Sequence, residues 1–219
     1  MKTFPIFLID LANRLCIVVG GSKEAEFKVR SLLDCEATVT VISPTLTAQM
    51  QSWAEEGLFT WLRRDFQPGD LRGAFLVIAE RGDAETSQRI WEESEAQGAL
   101  VNVTDDVQHC NFVSGSVTRQ GPLTISISTS GTAPAFSVRL RERFQKEFGP
   151  EYAEFLEIMG SLRAPMAARY PSFGERRDRW YRLVDSDVLD LLRSGEREQA
   201  RARIAEIAGE EVAGQIPEG

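Results

Sequence analysis

The stretch Leu15-Cys16-Ile17-Val18-Val19-Gly20-Gly21-Ser22-Lys23-Glu24-Ala25 decides how the chain folds. Leu15 to Val19 is an unbroken apolar run, as expected of a strand buried on both faces of a parallel sheet. A glycine pair follows, and Ala25, Val29, Leu32 and Leu33 then recur at helical spacing. A second β-branched run, Ala37 to Ile42, ends at Ser43-Pro44. Strand, glycine turn, helix and strand make a βαβ unit of the length that holds a dinucleotide. The turn suits a phosphate, because the first N–H groups of a helix lack intrahelical partners and the helix dipole is positive there.

The match to the G-x-G-x-x-G/A pattern is partial. Gly20 takes its first position and Ala25 its third, where a small residue lets the helix pack on the strand. The middle position is Ser22, where the backbone should approach a pyrophosphate most closely. The second strand ends in Ser43 rather than in the Asp or Glu that usually meets a ribose hydroxyl. Two readings stand: a dinucleotide site, or a βαβ unit that merely packs. The first makes Gly20, Gly21, Ser22, Lys23 and Glu24 cofactor contacts, with Ser43, Pro44 and Thr45 beyond the second strand and Glu80 and Arg81 beyond the fourth.

The chain has 219 residues, 42% of them hydrophobic, enough for one or two domains with a substantial core. A net charge of −8 argues against a nucleic-acid or anionic-membrane binder. Cys16, Cys35 and Cys110 form no CxxC pair and their odd number suits a reducing, cytoplasmic setting. Phe4 to Ile9 is too short to span a membrane and is expected to lie extended against the sheet.

After Pro44 a helix is expected with Leu46, Met50 and Trp53 on one face, then strands at Leu58–Leu62, Ala74–Ala79 and Leu100–Val103. Asp83 is placed to cap a helix that Gly98 ends. Alternating strands and helices predict a Rossmann-type, doubly wound parallel sheet through about residue 112, an α/β domain. The pattern then changes. Phe112-Val113, Ser116–Arg119 and Leu123–Ser128 read as short antiparallel strands around Gly115 and Gln120-Gly121-Pro122. Pro134 opens a helix in which Phe136, Leu140, Phe144 and Phe148 step by fours, a stripe suited to a core or to a subunit interface. Gly149-Pro150 breaks that helix. The remainder, 150–219, is helical, with Ala164–Glu175 expected as a connecting loop and Arg176-Arg177-Asp178-Arg179 as a solvated helix start.

Several motifs fall in one order and spacing: Gly20-Gly21-x-x-x-Ala25-x-x-Lys28, Val39-Thr40-Val41-Ile42-Ser43-Pro44, Asn102-Val103-x-Asp105, Cys110-x-Phe112, and Ile127-Ser128-Thr129-x-Gly131-Thr132-x-Pro134. As a set, over about residues 4–148, they resemble the precorrin-2 dehydrogenase family, the N-terminal module of siroheme synthase and often also a sirohydrochlorin ferrochelatase. The resemblance implies an NAD-binding Rossmann domain (1–112), a small α+β dimerisation region (113–149) and a helical C-terminal domain (150–219). It implies a homodimer that oxidises precorrin-2 to sirohydrochlorin with NAD⁺. In bifunctional members Fe²⁺ is then inserted as a substrate metal, a lyase step. Two alternatives stay open, a dehydrogenase without chelatase activity and a non-catalytic nucleotide- or tetrapyrrole-binding module.

The chain departs from the family pattern at several places. Ser22 stands for a third consecutive glycine, Glu80-Arg81 for an Ala-Thr pair, Ser87 for an asparagine, Gly115 for a proline and Ser130 for a glycine.

By the same resemblance Asp105 is the catalytic aspartate. Just past a buried strand, a carboxylate there can take a proton while a cofactor takes a hydride; the bland reading is a turn residue beside Asp106. His109, the sole histidine, is at most a weak contact for Fe²⁺ and no dedicated metal site is read. A carboxylate-rich tetrapyrrole calls for arginine forks. Arg119 and Arg139 are candidates, with Arg141, Arg143 and Lys146 nearby, against a solvated face balanced by Glu142 and Glu147. Thr129, Ser130 and Gly131 at the next helix start are candidates to bind a substrate carboxylate or to cap.

Overall fold

In the computed structural model, which describes residues 2–217, β1 (Leu15–Val19) is the central strand of a five-stranded parallel sheet. The order is β3-β2-β1-β4-β5, with β2 at Thr38–Ile42, β3 at Thr60–Leu62, β4 at Leu76–Ala79 and β5 at Leu100–Val103. Cys16 pairs in register with Val39 and Leu76, and Val18 with Val41 and Ile78. These residues face one layer, formed by α1 (Lys23–Leu33) and α2 (Ala48–Glu55), through Ala25, Val29, Leu32, Met50 and Trp53. Ile17, Ile42, Val77 and Val101 face the other layer, where α3 (Ala84–Ala96) contributes Ile90. Both faces are covered, which is why β1 and β4 are apolar without alternation.

The chain leaves β1 toward β2 on one side and returns to β4 on the other, so the strand order reverses between β1 and β4. Ligands of open α/β sheets bind in the crevice outside the carboxyl ends at such a reversal. Gly20 and Glu80 follow those two strands.

Asp83 caps α3 as expected, its Oδ1 accepting from the Thr86 N–H at 2.8 Å. Phe4 to Ile9 departs from expectation: it forms no regular structure and Phe4, Ile6, Phe7 and Ile9 are exposed. Phe112-Val113 is likewise not a strand.

The chain divides into two compact units, residues 4–114 and residues 115–217 together with residues 2–3. In the second, β6 (Ser116–Gln120) and β7 (Leu123–Ile127) form an antiparallel hairpin, followed by α4 (Pro134–Glu147) with Pro134 in its first turn. Helices α5 (Pro150–Ser161), α6 (Arg163–Arg169), α7 (Phe173–Val184), α8 (Val188–Arg193), α9 (Arg197–Ala208) and α10 (Glu210–Ala213) surround one core. Helix α6 replaces the loop expected over Ala164–Glu175. Leu162, Met166 and Tyr170 step by fours into that core, and Pro165 is tolerated because it sits in the first turn. The Tyr170 hydroxyl donates to Ala208 O at 3.0 Å and the Arg179 guanidinium lies 3.9 Å from its ring centroid. No helix among the described residues is long and apolar enough to cross a membrane.

Candidate active site

Gly20 extends the β1 ladder, its N–H donating to Ile42 O at 2.9 Å, and then turns with φ of +133°. That angle suits glycine alone. Gly21 is tight for a different reason. A Cβ there would overlap the Thr45 carbonyl oxygen and come within 2.7 Å of the Ser43 hydroxyl. The glycine pair thus lets the loop after β2 close over the turn, and the Thr47 N–H donates to Gly21 O at 3.1 Å. Ser22 is the N-cap of α1, its hydroxyl accepting from the Glu24 N–H at 3.1 Å.

The Glu80 carboxylate lies over the same helix end. Its Oε1 accepts from the Ser22 hydroxyl, and from the Ala25 N–H at 3.2 Å. Its Oε2 lies where a Cβ on Gly20 would fall. The main-chain N–H of Glu80 donates to Val19 O at 2.8 Å, which aims the side chain across the crevice. The donors of the turn therefore already hold an anionic group, so the cradle fits the phosphate of a dinucleotide in its chemistry.

Lys23 turns along α1, pairing with Glu26 and standing 5.6 Å from the Phe27 ring centroid. Glu24 is exposed beside it. The Ser43 hydroxyl is buried and donates to Thr45 O at 2.7 Å, while Pro44 and Thr45 are exposed at the rim. Glu26 and Thr47 are structural partners that the sequence alone did not single out. The Thr47 hydroxyl, the N-cap of α2, donates to Glu26 Oε2 at 2.6 Å and ties α1 to the loop beneath the turn. Lys23, and then Thr47, hold the Glu26 carboxyl below the usual carboxylate range. The signal, a Glu four residues into a helix opposite a Thr cap, is too common to read from sequence.

Asp105 follows β5 in the left-handed region, φ of +56°. Aspartate tolerates that region better than most residues. Its carboxylate is exposed and makes no hydrogen bond among the described residues, while its carbonyl accepts from Arg81 Nη1 at 3.3 Å. The loop is strapped back onto β5 by Cys110. The Cys110 Sγ accepts from the Val103 N–H at 3.3 Å and lies 3.2 Å from Asp106 O. Asn102 Nδ2 donates to Phe112 O at 3.1 Å. Burial pushes the Cys110 thiol pKa up, which suits a packing role. Both ring nitrogens of His109 are engaged, Nδ1 with Asp106 Oδ2 at 2.8 Å and Nε2 with Gln88 Oε1 at 2.9 Å. The imidazole thus braces the loop against α3.

The remaining candidates lie in the second unit. Thr129 Oγ1 accepts from the Ala133 N–H at 3.2 Å and closes the turn before α4, whose own N-cap, Ala133, has no side-chain bond. Ser130 and Gly131 carry the two positive φ angles of that turn, 52° and 77°. The Ser130 hydroxyl meets Thr3 Oγ1 at 3.0 Å. Arg139 is exposed and pairs with Glu142 at 2.7 Å, and Arg143 with Glu147 at 3.8 Å, so the balancing glutamates engage this face. Arg119 is exposed on β6.

Known proteins resemble the chain in three segments. Residues 7–116 match a family described as "Putative NAD(P)-binding". Residues 120–147 match one described as sirohaem biosynthesis protein central, and residues 151–207 match the sirohaem synthase dimerisation region. Among individual relatives, siroheme synthase 1 of Aeromonas salmonicida is 35% identical over 189 residues, covering 86% of this chain and 40% of the relative. Siroheme synthase of Edwardsiella ictaluri is 33% identical over 205 residues, 93% of this chain and 44% of the relative. The chain thus spans less than half the length of these curated relatives. Among solved structures, that of SirC, precorrin-2 dehydrogenase, superposes with a TM-score of 0.76 at 20% identity, covering 93% of this chain and all of that one. At that identity the likeness is one of fold.

Proposed function

Because the chain belongs to that NAD(P)-binding family and continues into the sirohaem synthase central and dimerisation regions, we propose that it oxidises precorrin-2 to sirohydrochlorin with NAD⁺. The observation that carries the reading is Asp105: an exposed carboxylate, in a strapped loop, just past the carboxyl end of the edge strand β5, beside β4. That is where an α/β sheet presents reacting groups. NAD⁺, when bound, supplies a hydride acceptor. Gly20, Gly21, Ser22 and the first turn of α1 would hold its pyrophosphate, with the Ser43–Thr45 loop and Glu80-Arg81 at the rim. Asp105 takes the proton that the tetrapyrrole loses with the hydride. Arg81 holds the Asp105 main chain, and Cys110 and His109 keep the loop from shifting. Arg119, Arg139, Thr129, Ser130 and Gly131 are the proposed partners of the substrate carboxylates.

The proposed enzyme is a homodimer of the cytoplasm. Three cysteines, an odd number with no CxxC pair, support a reducing compartment. An incomplete core supports the dimer. None of the buried apolar residues falls within 113–149, although Phe136, Val138 and Val117 lie exposed there. The β6–β7 hairpin packs on α4 and α5 with only the polar Thr118 and Ser137 buried, so a second copy would complete this region.

Replacing Asp105 by alanine tests the chemistry. Turnover should fall by at least about 100-fold, the usual loss with a general base, while NAD⁺ affinity stays unchanged and the melting temperature drops only slightly, because alanine tolerates the positive φ less well than aspartate. Undiminished turnover would end the role assigned to Asp105.

A further inference from the structure

The same N-terminal turn of α1 cannot hold two anions. Glu80 engages the Ser22 hydroxyl, the Ala25 N–H and the space above Gly20. These are the three features that a glycine turn offers a pyrophosphate: a hydroxyl, a first-turn N–H and a glycine that permits close approach. Two negative groups over one helix end would repel each other and share too few donors. Glu80 is also free to leave. It is half-buried, it lies just past the last residue of β4, and the part of it over Gly20 is the far end of a flexible side chain.

We propose that Glu80 is a built-in competitor of the dinucleotide, its carboxylate docking on the α1 N-terminus in place of the pyrophosphate and thereby setting the affinity for NAD⁺. This rests on the dinucleotide reading above and assigns Glu80 a role in it opposite to that of a ligand. Ser22 takes part on both sides, as the donor that Glu80 holds and as a donor the pyrophosphate would use. The apparent affinity is the intrinsic one reduced by the fraction of molecules whose turn is open. A carboxylate docked nine times in ten would weaken binding about tenfold.

Calorimetric titration of the full chain with NAD⁺ tests this, using wild type, Glu80→Ala and Glu80→Gln, each checked for folding by its thermal melt. Glu80→Ala should bind NAD⁺ about tenfold more tightly. Glu80→Gln, which keeps the size and loses the charge, should also bind more tightly than wild type. Inorganic pyrophosphate should show the same ranking, which locates the effect at the phosphates. Equal affinities across the three proteins would overturn the competitor role and leave the dinucleotide reading standing. Weaker binding by Glu80→Ala would overturn it by making Glu80 a ligand. Should none of the three bind NAD⁺, the dinucleotide reading falls and the competitor role with it.

Discussion

Arg81 Nη1 donates to the main-chain carbonyl of Asp105 at 3.3 Å, joining the ends of β4 and β5 at the mouth of the sheet. Because the bond reaches the backbone, Arg81 positions the aspartate while leaving its carboxylate free. Arg81→Ala should lower kcat about tenfold, as small mispositioning does, with the KM for tetrapyrrole little changed. Both residues are exposed, so the melting temperature should not move. Steady-state kinetics separate the two parameters, and an unchanged kcat would remove Arg81 from the positioning of Asp105.

Gly21→Ala should damage the turn itself. The added methyl meets the Ser43 hydroxyl and, closer still, the Thr45 carbonyl, which is backbone and cannot swing away. Overpacking of this kind costs about 1–3 kcal/mol. Chemical denaturation should show that loss, and NAD⁺ binding should fall with it. A variant as stable as wild type would mean that the loop after β2 yields easily.

Acid should destabilise the first unit in a definite window. Hydrogen bonds from Lys23 and Thr47 depress the Glu26 pKa, those from Arg64 and the Gln67 N–H that of Asp70, and the Thr86 N–H and hydroxyl that of Asp83. A carboxyl depressed in the folded state adds stability that is fully present above its unfolded pKa and is lost as pH falls through the folded one. Stability from these groups should therefore be flat above about pH 5 and decline below about pH 4. Thermal melts against pH measure the slope. In Asp70→Asn the decline should be shallower; an identical slope would exclude the Arg64–Asp70 pair as a contributor.

Replacing exposed apolar residues of α4 tests the proposed dimer. Phe136→Asp combined with Val138→Asp should give a folded monomer by sedimentation, because both side chains are exposed and neither supports the core of the helical unit. A dimer of unchanged stability would place the interface elsewhere, for instance within the segment 151–207 that matches the dimerisation region.

Much of the fold was legible because it depends on local pattern. Leu15–Val19 is a strand as read, since burial on both faces demands an unbroken apolar run. The cap Asp83 and the first-turn Pro134 were readable for the same local reason. Helix α6 was not, because two prolines outweighed the four-residue steps of Leu162, Met166 and Tyr170, whose value appears only when the core around them exists. Phe4–Ile9 is expected from its apolar run to lie against the sheet, yet hydropathy alone does not say what covers a residue. At the candidate site, Glu80 could be marked as unusual but its reach to Ser22 could not. Residues 58 apart meet there only because β1 and β4 are neighbours in the sheet.

The most direct measurement of the central claim is turnover of precorrin-2 by the purified full chain with NAD⁺, following NADH and sirohydrochlorin together. The account predicts that the two appear in equal amounts with wild type and that both are lost in Asp105→Ala. A folded wild-type protein that binds NAD⁺ yet forms neither product would contradict it.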